Sequence, residues 1–100
     1  MSYCIRIAYI DPLPHEAHLQ YTEVGDDLHA VRSVEVHRDG RMGFTDEAHP
    51  LGPHESMLPE GEWPAADAFP ILPECEWSII ERSEFERVWA AAVRTDAERQ

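Results

Sequence analysis

The alternation of apolar and polar positions predicts a series of short β-strands in the first half of the chain. The first segment, YCIRIAYI, is rich in β-branched and aromatic residues and stops at Asp11-Pro12, where a turn is expected. The second, LQYTEV, is stopped by Gly25 and two aspartates. The four strands predicted in this way span residues 3–10, 19–24, 29–37 and 41–46.

The length of the turn between the third and fourth strands predicts how the residues of these two strands pair. A two-residue loop would oppose Arg38 to Arg41 and would separate the apolar side chains onto two faces. A three-residue loop with Gly40 in the left-handed conformation instead pairs Val36 with Met42 and keeps the apolar side chains together. The same register places Val34 opposite Phe44, Glu35 opposite Gly43, and Arg32 opposite Asp46 as an ion pair. Val31 is out of phase with this pattern, so we expect a bulge or strand end near Arg32-Ser33.

Residues 47–73 contain six of the eight prolines together with many apolar side chains. This composition predicts an ordered wrap over the sheet, with one helical turn near residues 55–58. Residues 75–80 read as a fifth strand. A helix over residues 83–96 follows, with Ser83 and Glu86 as its capping box and an apolar stripe at helical spacing. The stripe consists of Phe85, Val88, Trp89, Ala92 and Val93.

These elements predict an α+β fold in one domain, residues 1–100. A single antiparallel sheet of four to five strands, with a meander and hairpin core, would pack on one C-terminal amphipathic helix. The long proline-rich loop would cover part of the sheet.

The charge of the chain narrows the classes of partner. Twenty acidic residues against eight basic ones, all arginine, give a formal net charge of −12. A field of that sign repels phosphate backbones and anionic membranes, so nucleic-acid and membrane binding are not expected. A basic protein is the partner that the charge favours, although a high net charge also serves solubility alone.

The expected location is cytoplasmic. The N-terminal apolar run is interrupted by Arg6 and has no signal-peptide pattern, and no segment has transmembrane length. Cys4 and Cys75 match neither a metal nor a redox spacing, and we expect both to be reduced and structural.

Candidate catalytic and metal-binding residues do not form recognisable motifs. The histidines include the pair His15 and His18, and an acidic cluster with His49 and His54, but neither group has zinc-site spacing. No serine or cysteine has a nucleophile signature, and there is no glycine-rich phosphate loop. We therefore predict no catalytic residues, no metal and no cofactor, and an enzyme is the less favoured class.

The sheet face away from the helix is the candidate binding surface. In the chosen register Glu35 and His37 lie beside Arg41 on that face, and Glu23 joins them if the second and third strands pair. Trp63 is either a plug in the core or an exposed anchor. The alternative is an ordinary solvated face with cross-strand polar pairs. The candidate binding residues are Glu23, Glu35, His37, Arg41 and Trp63.

Three groups of residues carry a family resemblance. They are Y-T-E-V at residues 21–24, R-S-V-E-V-H-R-D-G-R at 32–41 and S-E-F-E-R-V-W at 83–89. Together they resemble a family of small bacterial domains of unknown function. The resemblance brings no established activity and no catalytic residues, and by analogy it implies an immunity-like or accessory role beside bacterial toxins.

Two functions are expected. The first is a protein-binding module for a basic partner, as a monomer or an edge-strand homodimer. The second is a small-molecule-binding or enzymatic domain, which requires a closed, partly apolar pocket near Glu35, His37 and Trp63 under the proline-rich loop.

Overall fold

A computed structural model describes residues 2–98. The five strands are β1 (Tyr3–Tyr9), β2 (Leu19–Val24), β3 (Ala30–Val36), β4 (Met42–Asp46) and β5 (Cys75–Ile80), and one helix, α1 (Arg82–Glu98), ends the described chain. Two short 3-10 turns, Pro53–Glu55 and Ala66–Ala68, interrupt the segment between β4 and β5. The first of these corresponds to the helical turn predicted at residues 55–58 and lies two to three residues earlier.

The strands form one antiparallel sheet in the order β4-β3-β2-β1-β5. The first four strands follow one another as a meander. The chain then crosses the sheet, and β5 adds beside β1. The predicted α+β fold with one antiparallel sheet and one C-terminal helix is confirmed. Strands β4 and β5 are the edges, and an edge-strand homodimer stays a prediction.

The predicted hairpin register is also confirmed. Val36 pairs with Met42, Glu35 with Gly43, and Gly40 has a φ of +91°. The expected irregularity is a bulge at Val31, since the pairing of β2 with β3 shifts where this residue is inserted. Every following side chain keeps the face that the hairpin register assigns to it.

Helix α1 packs on the face that carries Val34 and Phe44. Phe85 is fully buried there, and Trp89 meets the Phe44 ring edge-on with the ring centroids 5.5 Å apart. The helix begins at Arg82, so Ser83 lies within the first turn and the predicted capping box is wrong. The Glu86 carboxylate accepts a hydrogen bond from Arg32 of the sheet.

The opposite face of the sheet is covered as well. Tyr3, Ile5 and Ile7 of β1 form a buried cluster with Val24 and Cys75, against which aromatic and aliphatic side chains of residues 63–77 pack. We call residues 47–74 the wrap, and this face the wrapped face. Both cysteines are buried and free.

Candidate functional site

A cleft of about 660 Å³ opens on the wrapped face at the end of the sheet where β1 ends, β2 begins and β3 ends. Tyr9, Gln20, Glu35 and His37 form its floor because the register of these strands brings them side by side on one face. Its walls come from the β1–β2 loop, the Pro53–Glu55 turn and the residue that precedes β5. The wall residues are Ile10, Asp11, Pro12, His15, Glu16, Ala17, His54, Glu55 and Glu74.

Hydrogen bonds fix the floor of the cleft. The Tyr9 hydroxyl donates to Gln20 Oε1 at 2.6 Å, and Gln20 lies directly opposite Glu35 in the register. Burial raises the pKa of the Tyr9 phenol. The backbone N–H of Met57 donates to Glu35 Oε2 at 3.2 Å, so the wrap is tied to the floor.

His37 is the most deeply buried titratable side chain of the cleft, with 6% of its surface exposed. Its backbone N–H donates to the Arg41 carbonyl at 2.9 Å and closes the hairpin. Its Nδ1 is buried and has no hydrogen-bond partner in residues 2–98. Buried ring nitrogens are normally paired, so His37 Nδ1 is an unsatisfied polar atom among the residues that line the cleft.

The walls hold their side chains on a left-handed backbone. Asp11, His54 and Glu55 have φ angles of 51°, 57° and 62°. Only one further non-glycine residue in the described chain, Leu28, has a positive φ. Each such conformation costs roughly 1–3 kcal/mol and is maintained only where the surroundings impose it, commonly at functional sites.

The cleft is strongly acidic. Five of its lining residues are Asp or Glu, three are His and none is Arg. Most arginines lie elsewhere, on the helix or on the sheet face that the helix covers. These are Arg6, Arg32, Arg82, Arg87 and Arg94. The lining of the cleft therefore has an excess of negative charge that none of these arginines offsets within the cleft.

The structure brings two of the candidate binding residues, Glu35 and His37, together in the cleft. Arg41 lies at the hairpin end outside the lining, where its Nε is 2.7 Å from Asp39 Oδ2. The backbone N–H and then the side chain of Arg41 lower the pKa of Asp39. The groove that Gly43 leaves on this face is filled by the wrap, since Ser56 lies over it and is 2% exposed.

Glu23 lies on the helix side and does not join this group. It pairs with Arg32 in the register and therefore shares the face of Arg32. Its Oε1 accepts from Arg32 Nε at 2.7 Å and its Oε2 accepts from Arg82, while Arg32 also donates to Glu86. Burial alone would raise the pKa of Glu23, but the hydrogen bonds from the two arginines outweigh it and lower that pKa. The predicted Arg32–Asp46 pairing holds in the register, whereas the guanidinium bonds to the two glutamates instead.

Trp63 is half-buried and packs against the core cluster, which corresponds to the first of its two predicted roles. Its backbone N–H donates to the Leu28 carbonyl at 2.7 Å, and its ring lies 6.2 Å from that of Phe69, which in turn contacts Trp77. Trp63 does not line the cleft, so the pocket expected near Glu35, His37 and Trp63 forms only around the first two.

Sequence reasoning missed the walls of the cleft. Asp11, Glu16, Glu55 and Glu74 come from three separate segments, and no spacing motif connects them. An available signal was the concentration of Asp, Glu and His in loops rich in proline on both sides of the sheet. Loops of this length are commonly functional.

Residues 2–98 contain no group of three or more His, Cys, Asp or Glu side chains arranged to hold a metal ion. Within the same residues, no helix has the length and apolar character needed to cross a membrane.

Comparison with known proteins identifies the family of the chain. Neither curated proteins nor solved structures match the chain significantly. A family model described as a domain of unknown function (DUF6881) matches residues 3–94, which contain all five strands, the wrap and most of the helix. The chain belongs to this family of domains of unknown function, DUF6881.

Proposed function

We propose that this protein is a protein-binding module that captures a basic partner through its wrapped face, in an immunity-like or accessory role in the bacterial cytoplasm. The observation that carries the proposal is the acidic cleft, lined by five carboxylates and no arginine. On the helix side, by contrast, Glu23 is paired with Arg32 and Arg82, and Glu86 with Arg32. The carboxylates of the cleft lack such partners among its lining residues.

The charge also sets the kinetics of capture. A net charge of −12 on a 100-residue chain attracts a basic protein over a distance comparable to the Debye length and accelerates the encounter. Interfaces of this kind associate quickly and lose association rate steeply as salt is added. A partner that must be neutralised soon after synthesis would benefit from such a rate.

The test uses proteins encoded by the genes that flank this one. Each is purified and titrated with this protein by isothermal calorimetry, and association rates are measured by stopped flow at about 0.01 M and about 1 M salt, where the Debye length is roughly 30 Å and 3 Å. The proposal expects a basic product to bind, with an association rate that falls at least tenfold at the higher salt. Absence of binding by every basic neighbour, or binding without salt dependence, contradicts it.

A second function, a small-molecule-binding or enzymatic domain, is supported by the closure of the cleft over Glu35 and His37 by the wrap. The residues that line the cleft include no Ser, Thr, Cys or Lys, so a covalent mechanism there would use a carboxylate, a histidine or Tyr9 as its nucleophile. A thermal-shift screen with neutral and anionic metabolites tests it. Stabilisation by one of them that is lost in Glu35→Gln would favour this function over the first.

A further inference from the structure

We infer that the acidic cleft is an anchor site that receives a single arginine side chain from the partner protein. This inference rests on the proposed function and names the group that the wrapped face recognises. The cleft joins the β1–β2 loop to the Pro53–Glu55 turn across the ends of three strands. The occupant is therefore a side chain with a short length of flanking backbone, held between two loops.

The negative charge of the residues that line the cleft favours a cation as its ligand. Carboxylates occur on its floor, on both walls and at the residue before β5, with Glu35, Glu16, Glu55 and Glu74 as examples. No arginine or lysine lies among the lining residues of the described chain, so the carboxylates give the cleft a negative potential. A ligand cation is attracted by that potential and gains charge-assisted hydrogen bonds.

The floor selects a donor-rich cation. His37 is 6% exposed, lines the cleft and has an unpartnered Nδ1, which accepts a hydrogen bond from a donor in the tautomer that carries its proton on Nε2. Glu35 uses Oε2 for the Met57 N–H, which leaves its other oxygen for the ligand. A guanidinium carries five donors spread in one plane, whereas an ammonium carries three on one atom. The guanidinium is also less strongly hydrated, so it loses less on entering the cleft.

The cleft favours a side chain of a protein over free arginine. Free arginine carries an α-carboxylate, and the lining offers no arginine or lysine to receive it. Five carboxylates would repel it. The volume, about 660 Å³, lies within the usual range of ligand clefts and admits the backbone that flanks an inserted side chain. The exposed wall residues Asp11, Glu16 and Glu55 leave the mouth of the cleft open to such a segment.

The first experiment titrates the full-length, ¹⁵N-labelled protein with capped peptides of the form acetyl-Gly-X-Gly-amide, where X is arginine, lysine or citrulline, and with free arginine. We expect saturable shifts of the amide signals of Gln20, Glu35 and His37 with the arginine peptide, at a dissociation constant of about 1 mM. The lysine peptide should bind at least threefold more weakly. Citrulline has the shape of arginine without its charge and should not saturate.

Matched variants locate the site. Glu35→Gln removes a floor carboxylate and keeps an oxygen for the Met57 N–H, and Glu55→Gln removes an exposed wall carboxylate without altering the floor. Each should weaken the arginine peptide by about tenfold, the effect of losing one charge-assisted hydrogen bond. The control is Glu60→Gln, which removes the same charge from an exposed residue of the wrap outside the cleft. It should change the affinity by less than about twofold.

Several results overturn the inference. They are shifts scattered over the surface, equal binding of the lysine or citrulline peptide, an equal effect of Glu60→Gln, and tighter binding of free arginine than of the capped peptide. The last result would assign the cleft to a small molecule. The outcome for the proposed function is separate. If a basic neighbouring protein binds Glu35→Gln, Glu55→Gln and the unaltered chain equally, capture of a basic partner stands and the arginine anchor is refuted.

Discussion

Replacement of Arg32 by alanine should destabilise the protein more than any other single arginine substitution. The Arg32 guanidinium bonds to Glu23 and Glu86, and it lies 4.9 Å from the centre of the Phe85 ring and 5.1 Å from that of Trp89. It thus connects the sheet to the helix through two carboxylates and two aromatic faces. Alanine removes all four contacts at once.

The magnitude follows from burial. The side chains of Arg32 and Glu23 are 20% and 11% exposed, so the pair is largely desolvated. Removing one partner of a buried pair costs about 3–5 kcal/mol, because the other charge is left behind. Glu23 retains Arg82, which places that term at the lower end of the range, and the lost cation–π contacts add about 1 kcal/mol. We expect a loss of about 3–4 kcal/mol, a large part of the roughly 5–15 kcal/mol that stabilises a typical domain.

The assay is equilibrium urea unfolding followed by tryptophan fluorescence and circular dichroism. Arg94→Ala is the matched control, because its ion pair with Glu98 spans 3.9 Å and both side chains are about 70% exposed. It should cost less than about 0.5 kcal/mol. The double variant Glu23→Gln with Arg32→Ala should lose less than the sum of the single variants, since it leaves no buried charge. A cost below about 1 kcal/mol for Arg32→Ala would refute the reasoning, because it would show that Glu23 is not desolvated.

Three further predictions follow from other contacts. Gly43→Ala should cost about 1–3 kcal/mol in urea unfolding, because a Cβ there would lie 2.5 Å from the Cβ of Ser56; unchanged stability would contradict this close packing of the wrap. The pKa of Glu23 is below its ordinary value of 4.5 in the folded protein, so its contribution is complete above about pH 4.5 and is lost as the pH falls through its folded pKa. Glu23→Gln should therefore flatten the acid limb of a plot of unfolding free energy against pH, and an unchanged limb would contradict it. Burial raises the pKa of Cys4 and Cys75, so both thiols should react with Ellman's reagent only when urea unfolds the chain, and rapid labelling of the native protein would contradict their burial.

Local patterns were enough to predict the hairpin and the helix. Two local features were enough to predict the register of the hairpin at Gly40. They are the alternation of side chains in the flanking strands and the like charges of Arg38 and Arg41. The apolar stripe of α1 identified its buried face through Phe85 and Ala92, whereas its last member, Val93, is exposed. In both cases the deciding contacts lie within or between neighbouring segments, so sequence spacing carries the information.

The face of Glu23 could not be derived so simply. It depends on the register of β2 against β3, which a left-handed residue in the connecting turn, Leu28, and the bulge at Val31 set together. Neither position is a glycine, so the sequence does not mark the unusual backbone. A buried arginine on the helix face needs a carboxylate as its partner. That requirement was a signal in the sequence that could have identified Glu23 as the partner of Arg32.

The walls of the cleft could not be predicted from the sequence for a related reason. Its floor follows from the strand registers, and this is why Glu35 and His37 were found. Its walls depend on how the wrap folds back across the sheet, a path fixed by scattered contacts such as the bond from Met57 to Glu35. The left-handed residues His54 and Glu55 shape that path without glycine. Periodicity cannot predict a segment whose conformation is imposed by tertiary contacts.

The arginine pairs and the cleft carboxylates lie on different sides of the sheet, so substitutions should separate stability from the proposed recognition. On the helix side, Glu23 and Glu86 are paired with arginines of the same chain, so substitutions such as Arg32→Ala act on folding. In the cleft, no arginine lies among the lining residues, so neutralising one carboxylate breaks no arginine pair within the lining. Neutralising Glu55 should therefore leave the free protein as stable or more stable while it weakens capture of the cation. Side chains that lower the stability of the free state and raise affinity for a ligand are characteristic of binding sites, and this opposition distinguishes the cleft from a merely solvated acidic surface.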